Sequence, residues 1–199
     1  MSKELTEKAK LLVNSARELF FKHGIKRVSI EEICQKANVS KMTFYNYFKD
    51  KDELAIHIAD IILDAELNNL MENDAKPIHF EEKIRNHMLW SYQIYNESGN
   101  EFFSEALDAD ESTVFGKHVK EKTLEVFKFS KNMILKAQKK GEVKPGLKIE
   151  LIMFLGDMTK KIMANPEIQK LYPDKIQMFK DICNIFYYGI INSEGDKPF

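Results

Sequence analysis

Cysteine is nearly absent from this chain of 199 residues: Cys34 and Cys183 stand far apart, with no partner at ligand-like spacing. A disulfide framework and a cysteine-based metal site are therefore excluded, and both residues read as small buried apolar side chains. Glycine is also sparse, eight in all, placed singly or at the ends of helical stretches. No phosphate-cradling glycine loop, nucleophile elbow, His-Glu zinc signature or nucleotide fingerprint occurs, which argues against an enzyme and against any cofactor. No uninterrupted apolar run reaches the roughly 18 residues that cross a bilayer. Residues 1–10 are charged where a signal peptide carries its apolar core, so the expected location is the cytoplasm. Hairpin dipeptides, internal repeats and low-complexity blocks are missing too, and nothing points to β structure or to a solenoid.

What is present is 44% hydrophobic content, enough to build a core, spaced for helices. Ala9, Leu12, Val13, Ala16, Leu19 and Phe20 share one face of a first helix over 6–23, stopped by Gly24. A fourth helix begins near residue 50 and runs through Leu54, Ile58, Ile61, Ile62 and Ala65 to about 73, with Pro77 marking the break after it. Further helices are predicted over 78–98, 100–108, 112–140, 148–165 and 174–192. Gly141 and the Lys-Pro-Gly turn at 144–146 close the long one, and Pro166 follows the next. With two more over 29–48, described next, the fold class is all-α with about nine helices.

Residues 29–54, SIEEICQKANVSKMTFYNYFKDKDEL, are the densest in information. Ile30, Ile33, Cys34 and Ala37 recur at helical spacing, and Ser29 with Glu32 three residues on makes a capping-box pattern. Asn38 suits the left-handed conformation that ends a helix, Val39 supplies an apolar plug, and Ser40 suits the cap of a second short helix. Phe44 and Phe48, four apart, point that helix into a core. Lys41, Met42, Thr43, Tyr45, Asn46 and Tyr47 then lie on its other sides, a face of donors and aromatics suited to phosphate oxygens and base edges. The charge pattern agrees. The net charge of −1 hides a split, since residues 1–53 carry eleven Lys and Arg against eight acids, and the remainder carries nineteen against twenty-three.

From about residue 9 to 55 the chain resembles the DNA-binding domain of TetR-family transcriptional regulators. The resemblance runs through Ala16, Leu19, Phe20, Gly24, Ser29, Ile33, Val39, Ser40, Lys41, Thr43, Tyr45, Tyr47, Phe48, Lys51, Glu53 and Leu54, in order and without gaps. It implies an N-terminal three-helix, helix-turn-helix head over residues 1–50 joined to an effector-binding and dimerisation body over 51–199. It also implies that Ser29, Thr43, Tyr45, Tyr47 and Lys51 meet the phosphate backbone, beside the capping Ser40, while Lys41, Met42 and Asn46 face bases. Met42 departs from the small residue or proline common in the family: its thioether either presses against a thymine methyl or simply packs.

The last two helices carry apolar stripes too wide for one neighbour. Phe154, Leu155, Met158 and Ile162, then Phe179, Cys183, Phe186, Tyr187 and Ile190, suit either a monomer core or a four-helix bundle with a second subunit. The resemblance implies the bundle, hence a homodimer, a near-palindromic double-stranded DNA operator, and repression relieved by a small-molecule effector. An effector-independent regulator or an activator built on the same head is the alternative. For the effector, His87, Trp90, Ser91, Tyr95, Phe102, Phe103, His118 and Phe127 are the candidate pocket residues, in a setting that suits an apolar or aromatic molecule; the competing reading of each is ordinary core. No metal and no membrane partner is expected.

Overall fold

The computed structural model describes residues 6–96 and 101–190. Among the described residues there are ten α-helices and no strand: α1 Glu7–His23, α2 Ile30–Ala37, α3 Lys41–Tyr47, α4 Lys51–Ala75, α5 Phe80–Asn96, α6 Glu101–Leu107, α7 Val114–Lys139, α8 Ile149–Ala164, α9 Pro166–Leu171 and α10 Lys175–Ile190. The expectation of nine missed α9. Pro166 does not merely break the chain; it occupies the first turn of a new helix, where its missing N–H costs nothing. Asn165 caps that helix, its side-chain oxygen accepting from the amides of Glu167 at 2.9 Å and Ile168 at 3.4 Å. No helix among the described residues is long and apolar enough to cross a membrane.

The chain divides into two compact units, one formed by the residues through Ala65 with Ile94–Leu124, the other by Glu66–Gln93 with the chain from Glu125 on. In the first unit α1 packs against α2, α3 and α6. Its core holds Leu12, Ala16, Phe20, Phe21, Ile33, Phe44, Phe48, Leu54 and Ile58, joined by Phe102, Phe103 and Phe115. The rings are arranged for quadrupole attraction as well as burial. Phe21 stacks on Phe102 at 5.2 Å and meets Phe103 edge-on at 5.0 Å, and Phe20 lies 6.4 Å from Phe102.

The second unit buries Leu70, Phe80, Val126, Met133, Ile134, Ala137, Val143, Ile149 and Ile152. Gly141, at φ +76°, ends α7 in the conformation that glycine adopts without strain. Glu142, in the turn that follows, accepts a hydrogen bond from the Phe80 amide at 2.9 Å and so satisfies a donor at the start of α5. A smaller cluster forms around Phe179 and Cys183, with Ile84, Met88, Tyr92 and Met163 against it. Burial pushes the Cys183 thiol up to about 12 and the Cys34 thiol above its ordinary value, so both remain protonated and inert at neutral pH.

One polar cluster in the second unit is partly buried. The Lys83 side chain is buried; its Nζ donates to the Asp74 carbonyl at 2.6 Å and lies 3.5 Å from the Asp74 carboxylate, which also pairs with Lys136 at 2.8 Å. Burial pushes the Asp74 carboxyl up, but the bond and charge of Lys136, with Lys83 beside them, outweigh it and hold the group below its ordinary value of 3.8. A carboxylate whose folded pKa is depressed contributes stability above the unfolded value and loses it as pH falls through the folded one. Asp74→Asn should therefore lower stability at pH 7 by roughly 1–3 kcal/mol and weaken the acid-side fall in stability below about pH 4. Chemical denaturation of both proteins between pH 2 and 7 measures this; parallel curves would assign the acid limb to other carboxylates.

Candidate nucleic-acid interface

The α2–turn–α3 segment forms as its capping residues dictate. Ser29 and Glu32 exchange both hydrogen bonds of a capping box, at 2.7 and 3.2 Å. Asn38, at φ 53° and ψ 47°, is in the left-handed conformation and closes α2. Ser40 then caps α3 by accepting from the Thr43 amide at 3.1 Å, and the two hydroxyls bond to each other at 3.0 Å. With so short a turn, α3 is rolled by its two phenylalanines: Phe44 is completely buried and Phe48 nearly so.

That roll exposes the remaining side chains. Met42 is 77% exposed and Tyr45 56%, while Lys41 and Asn46 are exposed beside them. Tyr47 is more than a third exposed; its hydroxyl accepts from Thr6 Oγ1 at 2.7 Å and keeps its own proton to donate. Ser29, Thr43 and Lys51 are half-buried. Lys51 is already engaged, its Nζ donating to the carbonyls of Val28 at 2.7 Å and Lys26 at 3.3 Å. Nearby, Glu53 accepts from the Lys49 amide at 2.6 Å and gives its own amide to Asp50 at 2.8 Å, closing the start of α4. Lys22, Lys26, Arg27 and Lys49 are exposed in the same unit. Other cations of the head carry acidic partners: Lys10 pairs with Glu7 at 3.1 Å and Lys36 with Glu18 at 2.9 Å, and Lys41 is in contact with Glu31.

Residues 12–58 match the model of the bacterial regulatory proteins of the tetR family. Over these residues the chain is similar to the regulators of that family. The chain is 56% identical over 43 residues to the TetC protein of transposon Tn10 from Escherichia coli, covering 22% of each chain. It is 29% identical over 72 residues to YuxN of Bacillus subtilis, an uncharacterized HTH-type transcriptional regulator, covering 36% of this chain and 25% of that one. The matched region is thus about a quarter of the length of these curated relatives. Solved structures extend the likeness of fold to nearly the whole chain. The fatty acid degradation regulator FadR from Bacillus halodurans has a TM-score of 0.71 at 14% identity, over 90% of this chain and 98% of that one. The ketosteroid transcriptional regulator KstR2 of Mycobacterium tuberculosis reaches 0.72 at 15%, over 96% and 98%. SmeT, the repressor of the Stenotrophomonas maltophilia multidrug efflux pump SmeDEF, reaches 0.71 at 16%, over 98% and 95%.

The candidate effector residues divide between the two units. Phe102, Phe103 and His118 belong to the first unit and His87, Trp90, Ser91 and Phe127 to the second, while the Tyr95 side chain lies outside the described residues. Phe102 and Phe103 are core, and His118 Nε2 pairs with Asp60 at 2.7 Å. His87 bonds to Asn69 at 3.0 Å and stacks with Trp90 at 6.1 Å. None of the seven whose side chains are described lines either of two cavities in the second unit. One, of about 200 Å³, is ringed by Lys83, Lys136, Lys140, Asp74 and Glu142. The other is an apolar groove of about 420 Å³ along α8, lined by Leu151, Leu155, Met158 and Ile162 and closed by Leu171 and Ile185.

The candidate interface residues separate cleanly. Phe154 is 61% exposed, and Leu155 and Ile162 are exposed on the same helix, with Met158 half-buried. Phe179 and Cys183 are instead buried inside the chain, packed against α5. The side chains of Phe186, Tyr187 and Ile190 lie outside the described residues. Sequence reading also overlooked Glu105, whose carboxylate accepts from the Ile25 amide at 2.8 Å, and Glu31, whose hydrogen bond to Lys41 holds its carboxyl below the ordinary range while the same bond raises Lys41.

The Glu31–Lys41 pair is exposed, so it adds little to stability, yet it places a negative charge on the candidate face. Glu31→Gln should leave the thermal midpoint nearly unchanged and raise affinity for duplex DNA roughly twofold to tenfold at low salt, converging with wild type as salt increases. A titration at several ionic strengths checks it; equal affinities at low salt would place Glu31 away from the DNA.

Proposed function

We propose that this protein is a ligand-responsive DNA-binding regulator, acting in the cytoplasm as a homodimer on a near-palindromic operator. The observation that carries this reading is the face of α3: burial of Phe44 and Phe48 turns Lys41, Met42, Thr43, Tyr45, Asn46 and Tyr47 outward together. Thr43, Tyr45 and Tyr47 supply hydroxyls for phosphates, with Ser29, Ser40 and Lys51 at the helix starts, and Lys41, Met42 and Asn46 supply base contacts. Two such helices related by a two-fold axis read major-groove faces about 34 Å apart or somewhat more. The second copy sits on the exposed stripe of α8, where Phe154, Leu155 and Ile162 leave apolar surface facing solvent in the single chain. Repression released by a small apolar or aromatic effector follows from kinship of fold with regulators named for fatty acid degradation, ketosteroids and a multidrug pump. The effector favours a dimer geometry in which the two heads no longer match the groove.

Selection of bound fragments from the protein's own genome tests the DNA-binding reading directly, and recovery of no enriched fragment would overturn it. With the selected duplex, Tyr45→Ala should weaken binding to all sequences alike, while Asn46→Ala should change the preferred site, at about 1–3 kcal/mol for a lost base contact. Identical site profiles for wild type and Asn46→Ala would remove Asn46 from the base-reading set.

Dimerisation makes a second prediction that separates surface from core. Phe154→Glu places a charge on a side chain that is already exposed, so the variant should fold normally and dissociate, with the dimer weakened roughly thirtyfold or more. Phe179→Glu buries a charge inside one chain and should unfold it. Sedimentation and circular dichroism of the two variants distinguish these outcomes, and a wild-type monomer at micromolar concentration would rule out the bundle.

A further inference from the structure

We propose that Glu105, on α6, is a positioning residue for DNA binding, holding from behind the turn on which α2 and α3 are hung. The inference rests on the DNA-binding reading above. The turn is Gly24-Ile25-Lys26-Arg27-Val28, between the end of α1 and the cap of α2, and it has no helical ladder to satisfy its backbone. Two oppositely charged side chains do so instead. Glu105 Oε2 accepts from the amides of Ile25 at 2.8 Å and Lys26 at 3.2 Å, reaching across 80 positions of sequence. Lys51 Nζ donates to the carbonyls of Lys26 and Val28. Donors on one side and acceptors on the other are thus each met by a charged partner, and hydrogen bonds to charged groups are the stronger kind.

The clamp is seated tightly. Gly24 has φ +81°, and a Cβ there would lie 2.3 Å from Glu105 Oε1, so the carboxylate rests directly against the bare backbone. Ile25 and Val28 are buried on either side of it. The base of the clamp is rigid because α6 is nailed to α1 through Phe102, three residues before Glu105 and on the same helical face. Any displacement of α6 therefore moves the turn, and with it the cap Ser29 and the angle at which α2 and α3 are presented. Removing the carboxylate lets the head sample other angles, and apparent affinity falls by the fraction of time the competent one is occupied.

The test compares Glu105→Ala and Glu105→Gln with wild type, using the duplex recovered by genomic selection. In Glu105→Ala the amides of Ile25 and Lys26 should exchange faster while those of α1 are unchanged, and affinity should fall roughly tenfold. The slope of log affinity against log salt should not change, because Glu105 holds no phosphate. Glu105→Gln retains one carbonyl oxygen and should recover part of both effects, which also covers the case in which the alanine variant folds poorly. Unchanged affinity in both variants, or faster exchange throughout α1, would overturn the positioning role. If wild type binds no fragment at all, the DNA-binding reading fails and this role with it, whereas wild-type binding with an indifferent Glu105 sinks the role alone.

Discussion

The stacking of α6 on α1 is the contact on which the first unit depends. A helix-turn-helix of two short elements cannot bury enough surface to hold itself, since α2 has eight residues and α3 seven. They need a roof, and α1 supplies it with Leu12, Ala16, Phe20 and Phe21. That roof is itself pinned by Phe102, Phe103 and Phe115, which arrive from the chain beyond residue 94. Three phenylalanines of that size displace far more water than any of the polar contacts around them, so they set the position and the polar groups adjust to it.

Polar chemistry in the same unit then does what burial cannot, which is to fix direction. Packing alone tolerates small rolls and slides, but a capping box, a left-handed asparagine and a carboxylate accepting two amides are each satisfied at one geometry. The consequence is an outward face on α3 on which Met42, Tyr45 and Asn46 stand in solvent, while Phe44, on the same short helix, is wholly buried. Lys51 stands between the two roles, because it ties the turn with two bonds and has one further proton to give.

In the second unit the balance differs. Its apolar surface exceeds what one chain can cover: α10 spends Phe179, Ile182 and Cys183 inside, yet α8 leaves Phe154, Leu151 and Leu155 in water beside a groove of about 420 Å³. Exposed large side chains clustered in this way mark an interaction surface more often than scattered ones do. The Asp74–Lys83–Lys136 cluster shows the opposite economy, a buried ammonium retained because a carbonyl and a carboxylate both reach it.

Local features of the sequence determined what local physics can determine. Helical spacing placed the helices to within a few residues, Ser29, Asn38 and Ser40 announced their own capping roles, and Phe44 and Phe48 told which way α3 faces, because each of these depends only on neighbours within one or two turns. Pro166 was the local exception: a proline closes one helix and opens the next with equal ease, and only the Asn165 cap discriminates. Tertiary structure alone decided which apolar stripe residues are core. Phe154 and Phe179 look alike in sequence, and what separates them is whether α5 lies against them. It alone decided that Phe102 and Phe103 serve the core of the first unit, and that Glu105 belongs to the head at all. A carboxylate 80 residues from its amides leaves no periodic trace, since the bond exists only after the chain has closed a long loop and stacked its phenylalanines.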